Sequence, residues 1–175
     1  MDNVTENTLQ LSKLKQLVKD GKNAILFGPD NPESLQKVMN YIRRLHDSHH
    51  TVVFVDVSPH WDAFDFANNL SSSVFESLQP DTAHRPTSLP YQSILEDTLT
   101  WADLRCKEAP MVVVLGEFHN VAEMPGGRVD AALRTVIQRL RNVSFVFTST
   151  QKAALSKMFI LKSQPLYGMA STVTL

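Results

Sequence analysis

The strongest constraint in this chain is a rhythm. Short apolar runs alternate with longer stretches of helical periodicity. The runs are Asn23 to Phe27 (NAILF), Thr51 to Val57 (TVVFVDV), Met111 to Leu115 (MVVVL), Val143 to Phe147 (VSFVF) and, less apolar, Ser171 to Leu175 (STVTL). Most are continuous rather than alternating, as expected of strands covered on both faces. Between them the apolar residues fall at helical spacing. Leu9, Leu11, Leu14, Leu17 and Val18 mark a first helix, closed by Gly21, which suits a left-handed cap. Leu35, Val38, Met39, Ile42 and Leu45 line one face of a second. Further helices are expected over Trp61 to Leu78, around Ile94 to Leu104, over Val129 to Leu140 and over Gln151 to Phe159. Strands and helices in strict alternation predict an α/β fold, a parallel sheet with helices on both sides. Residues 1–8 are expected to be flexible, and residues 1–175 to form one domain with no room for a second.

Bulk properties narrow the function classes. A chain of 175 residues can bury a real core. A net charge of −1 gives no general attraction to nucleic acid or to an anionic membrane, so nucleic acid is an unlikely partner by charge. One cysteine, Cys106, rules out an intramolecular disulfide and a cysteine-rich metal site. The polar N-terminus is unlike a signal peptide, and no apolar stretch approaches the roughly 20 residues of a membrane span. A cytoplasmic protein is expected.

Three stretches together carry a resemblance: GKNAILFGP (Gly21 to Pro29), VVVLGEFHNV (Val112 to Val121) and LRNVSFVFTSTQKAALSKMFILKSQPLYG (Leu140 to Gly168). In order and spacing they resemble the archaeal-type ATPase family of P-loop NTPases, close to the AAA+ and STAND groups. The resemblance implies a three-layer sandwich with a five-stranded parallel sheet in the order 5-1-4-3-2. The C-terminal helical lid and winged-helix parts of longer relatives are not expected.

The chemistry that the resemblance implies is missing position by position. A working phosphate loop reads G-x-x-x-x-G-K-[ST], with backbone N–H groups and the lysine on phosphates and the hydroxyl on magnesium. Counting from Gly28, the second glycine is Glu33, the lysine is Ser34 and the hydroxyl is Leu35. Asp30 and Glu33 add carboxylates where a polyanion would sit, which opposes binding. After Pro29, Asn31 suits an N-cap and Pro32 a first helical position; Glu33 complements the helix dipole. The metal-side aspartate expected after the third strand is Gly116, while the water-orienting glutamate is kept as Glu117. Thr150 stands as a surviving polar sensor, and Met169 where the family usually has an arginine. Lys22 and Lys37 are the candidates to supply missing charge, and Lys37, three residues past the expected lysine, is expected to point away from the loop.

Other groups are weighed on residue type alone. His46, His49 and His50 have spacing that can hold a metal, but a solvated helix end explains them as well, and no metal is expected. Glu117 and His119 could do acid–base work, although Phe118 between them is expected to pack and to leave them as scaffold. Ser34 and Ser149 are set aside as nucleophiles because no motif places a histidine beside them. Arg134, Gln138 and Arg141, with Arg128 before them, could form a partner face on one helix. Trp61 and the long loop Gln79 to Pro90 are further candidate contacts. The expected function is a noncatalytic pseudo-ATPase acting as an interaction or assembly subunit, with a protein partner, possible homo- or hetero-oligomers and no cofactor. The alternatives are a divergent nucleotide switch and an accessory nucleic-acid binder.

Overall fold

The computed structural model describes residues 2–27, 36, 39–40, 42–44, 50–79 and 88–174, with side chains from residue 8 onward. Their order is α1 (Asp2–Lys19), β1 (Ala24–Phe27), β2 (Thr51–Asp56), α2 (Ala63–Leu78), α3 (Tyr91–Arg105), β3 (Met111–Gly116), a 3-10 helix (Phe118–Glu123), α4 (Val129–Ile137), β4 (Val143–Thr148), α5 (Lys152–Ile160) and β5 (Ser171–Thr174). Residues 36, 39–40 and 42–44, between β1 and β2, are also helical. The helix α1 begins at Asp2.

All five strands are parallel, in the order β2-β3-β4-β1-β5. This is the predicted order read from the other edge. Alternation along the central strands splits the interior into two layers. Val112, Val114, Val146 and Leu26 face α1 and the helical residues Met39 and Ile42. Val113, Leu115, Phe145, Phe147 and Ile25 face the larger core with α2 to α5. β3 and β4 are buried at every position. β2 and β5 depart from the expected pattern: β2 buries Val53 and Val55 but exposes Phe54 and Asp56, and of the β5 residues Val173 alone is buried, because each borders the sheet on one side only.

Local signals set the element ends. Asp62 caps α2 in a reciprocal box with Asp65, each side chain accepting from the other's backbone N–H. The helix therefore starts at Ala63, two residues later than expected. Between α2 and α3 the buried hydroxyls of Ser71 and Thr98 satisfy each other at 2.8 Å.

The amino end of the sheet is closed by side chains. Asn23 Oδ1 accepts from Phe145 N–H at 2.9 Å, its Nδ2 donates to the Met169 carbonyl at 3.2 Å, and its own carbonyl accepts from Ser171 N–H. One residue thus ties the starts of β4, β1 and β5. Asp103 at the end of α3 accepts from the N–H groups of Arg141 and Asn142, fixing the turn into β4.

Candidate functional site at the carboxyl edge

A parallel sheet offers its ligand positions beyond the carboxyl ends of its strands. Here that edge gathers Asp56 from β2, Gly116 and Glu117 from β3, and Thr148, Ser149 and Thr150 from β4. A cleft of about 410 Å³ opens among Arg43, Phe54, Asp56, Gly116, Glu117 and Thr148.

Glu117 leaves β3 in a left-handed conformation, with φ at 48°. For a residue with a Cβ this costs about 1 kcal/mol. Two features hold it there. Phe118 is fully buried, with its ring 4.7 Å from Phe147 and 6.2 Å from Phe159. The Glu117 carboxylate accepts from both the N–H and the hydroxyl of Thr150, at 3.0 and 2.8 Å. Packing of Phe118 matches expectation. The chain beyond it is not extended, however, and the 3-10 turn brings His119 Nδ1 to 3.4 Å from Glu117 Oε2.

The same turn sets His119 Nδ1 2.6 Å from Ser149 Oγ. Ser149 had been set aside for want of a neighbouring histidine; the fold supplies one 30 residues away in sequence. The pair does not form a relay. Ser149 Oγ accepts from Gln151 N–H and meets His119 at Nδ1, the same ring nitrogen that Glu117 approaches. A nucleophile, base and orienting acid need both imidazole nitrogens. Ser149 is also only 7% exposed. The geometry is that of a side-chain network pinning the start of α5.

The position of Gly116 is informative. It lies in register with Asp56 on β2. A Cβ added at Gly116 would stand 2.7 Å from Asp56 Oδ1, closer than side-chain atoms tolerate. The space of a residue-116 side chain is therefore occupied by a carboxylate from the neighbouring strand. Burial, and then the charge of Glu117, push the Asp56 carboxyl above its ordinary pKa. Asp56 was not singled out in the sequence. Its signal was the acidic end of an apolar strand, and its meaning needed the β2–β3 register.

Other predicted positions separate from this edge. Met169 precedes β5, so it sits at the amino end of the sheet, opposite Glu117, packed against the larger core. It cannot stand for an arginine reaching the same site as Glu117 and Thr150. Lys22 precedes β1 at that same amino end and cannot lend charge to the cleft. Arg134 donates to the carbonyls of Pro165 and Tyr167, anchoring the turn before β5 rather than facing a partner. Because α4 ends at Ile137, Arg141 lies beyond it, in the turn to β4, and the expected continuous face of Arg134, Gln138 and Arg141 does not form. Arg128 pairs with the buried Asp130 at 2.8 Å. Trp61 is half-buried against the larger core. Gly28, Pro29, Asp30, Asn31, Glu33, Ser34, Leu35, Lys37, His46, His49 and the loop positions 80–87 lie outside the described residues. Among the described residues no cluster of three metal-ligating side chains occurs, and no helix is long and apolar enough to cross a membrane.

No protein-family model and no curated protein sequence matches the chain. Solved structures do. The Walker-type ATPase PABY2304 of Pyrococcus abyssi matches with a TM-score of 0.66 at 14% identity, over 94% of this chain and 51% of that one. The ORC2 protein of Aeropyrum pernix, with ADPNP and ADP, matches with a TM-score of 0.65 at 15% identity, over 98% of this chain and 47% of that one. A chain of Drosophila ORC bound to AT-rich DNA and Cdc6 matches with a TM-score of 0.58 at 14% identity, over 86% and 48%. The fold is that of the P-loop ATPases. This chain spans about half the length of these neighbours. One of them is on DNA, so the neighbours lend no weight to the expectation from charge that nucleic acid is an unlikely partner.

Proposed function

We propose that this chain is a non-hydrolysing protein of P-loop ATPase fold that works as an assembly subunit through protein contacts. The observation that carries the reading is the Asp56 carboxylate in the space beside Gly116. Residue 116 itself brings no carboxylate for a metal, and the nearest one comes from β2. The retained Glu117 accepts from Thr150 at both oxygens, which fixes the direction of its carboxylate. Asp56 and Glu117 also place two carboxylates on the edge where nucleotide phosphates would lie, and like charges there oppose a polyanion. The sequence of the loop Gly28 to Leu35, without the second glycine, lysine and hydroxyl, points the same way. Assembly as the role draws support from the neighbour that is in complex with Cdc6 on DNA.

The test is thermal unfolding with millimolar ATP or GTP and magnesium. A ligand at 100 times its dissociation constant adds about 2.7 kcal/mol of stability. No shift in melting temperature is expected. A clear shift, abolished by substitutions in Gly28 to Leu35, would overturn the reading in favour of a nucleotide switch. DNA binding that weakens steeply with salt would favour the nucleic-acid role instead.

A further inference from the structure

The sheet has two outer edges, and they are built differently. At β5 the residues are Ser171, Thr172, Val173 and Thr174, and Lys13 of α1 donates to the Thr172 carbonyl at 2.8 Å. A lysine and a polar strand are standard protection against strand pairing. At β2 the strand is TVVFVD, with no proline, lysine or glycine, and Phe54 is 43% exposed.

The outward groups of β2 follow from its hydrogen bonds. Thr51 N–H donates to Pro110 and Val57 N–H to Gly116, so the odd-numbered residues turn their backbone groups toward β3. By the two-residue period, Val52, Phe54 and Asp56 turn theirs away from the sheet. Among the described residues nothing pairs with them. Their side chains share the face of the sheet that carries Met39 and Ile42, where a groove of about 220 Å³ runs among Met39, Ile42, Arg43, Val52 and Phe54.

We infer that β2 pairs with β2 of a second copy of this chain, antiparallel about a two-fold axis at Phe54, joining the two sheets edge to edge. The register is self-consistent. With Phe54 opposite Phe54, Val52 stands opposite Asp56 of the second copy, and these are the residues whose N–H and C=O groups point outward. Each opposed pair exchanges bonds in both directions, as narrow antiparallel pairs do. The two Phe54 rings meet across the axis, a favoured cross-strand pairing. Asp56 of the second copy arrives over Val52, in the groove that Arg43 lines. To reach that cation the carboxylate, which takes part in no ion pair among the described residues, turns from Gly116 toward the second copy. An isologous contact of this kind closes at two copies.

The inference rests on the assembly reading for its choice of a protein partner, and it fails separately from it, since nucleotide does not enter the measurement. Sedimentation velocity of the full chain over a dilution series is expected to show a monomer–dimer equilibrium. Phe54→Lys sets like charges against each other at the axis and is expected to leave only monomer. Val52→Lys sets a lysine opposite Asp56 of the second copy and is expected to hold or strengthen the dimer. Far-ultraviolet circular dichroism checks that both variants keep the fold, and a spin label at Thr51 reports the inter-copy distance whichever variant expresses. A chain that stays monomeric at all concentrations overturns the inference. So does a dimer that Phe54→Lys leaves intact, or one that both lysine variants weaken alike, which would mean that Val52 does not stand opposite Asp56.

Discussion

The two ends of the sheet use the same kinds of side chain to opposite effect. At the amino end, Asn23 and Asp103 each satisfy backbone groups that the strands leave open, and the end is closed. At the carboxyl end, Asp56 and Glu117 face each other across a cleft, one with its pKa raised and the other on a left-handed backbone. Polar residues at the first end complete the fold. At the second they stand in mutual repulsion, which the surrounding packing sustains. Thr150, Ser149 and His119 satisfy part of that edge from within the chain.

Three substitutions test this contrast. The largest effect is expected at the closed end. Asn23→Ala removes two side-chain bonds and leaves Phe145 N–H without a partner, so urea denaturation should show a loss of about 3 kcal/mol. A loss under about 0.5 kcal/mol, the range of a neutral surface change, would mean that the closure is not structural. Next is Gly116→Asp, which sets a second carboxylate against that of Asp56, an exposed side chain that can turn aside, and should cost about 1 kcal/mol by urea denaturation. Adding Asp56→Gly to that variant should recover most of the loss. If the double variant is no better than the single one, Asp56 is not what fills the space.

The smallest effect is Asp56→Asn. The folded-state pKa of Asp56 lies above its unfolded value, so its ionisation disfavours the folded state. Its contribution to stability is fully present below the unfolded pKa and is lost as pH rises through the raised folded pKa. The variant should therefore be slightly more stable than the parent at neutral pH, with the difference vanishing as the solution is acidified. A gap that widens on acidification would reverse the assignment.

Much of the architecture was legible because parallel sheets write themselves as continuous apolar runs. MVVVL and VSFVF are buried at every position, and their order relative to the helices left few topologies open. The edge strands were less legible. TVVFVDV looks like a run covered on both faces, yet Phe54 and Asp56 are exposed, because side chains on an edge strand lack a neighbour on one side. The site was legible only where chemistry lies in consecutive residues. Glu117 and Thr150 were each singled out, and the fold joined them. The meeting of Ser149 with His119 depends on a 3-10 turn entered through a left-handed glutamate, for which no residue-type signal exists. Met169 could have been placed from topology alone. A residue just before a parallel strand and one just after another lie at opposite ends of the sheet. The family resemblance, rather than the residues, suggested that it shared a site.

Glu117 has one more consequence. Its carboxylate is the clasp that joins the exit of β3 to the entry of α5, across 33 positions of chain. Replacing either Glu117 or Thr150 loosens both ends of the clasp at once, so the turn after β3 and the start of α5 are expected to move together.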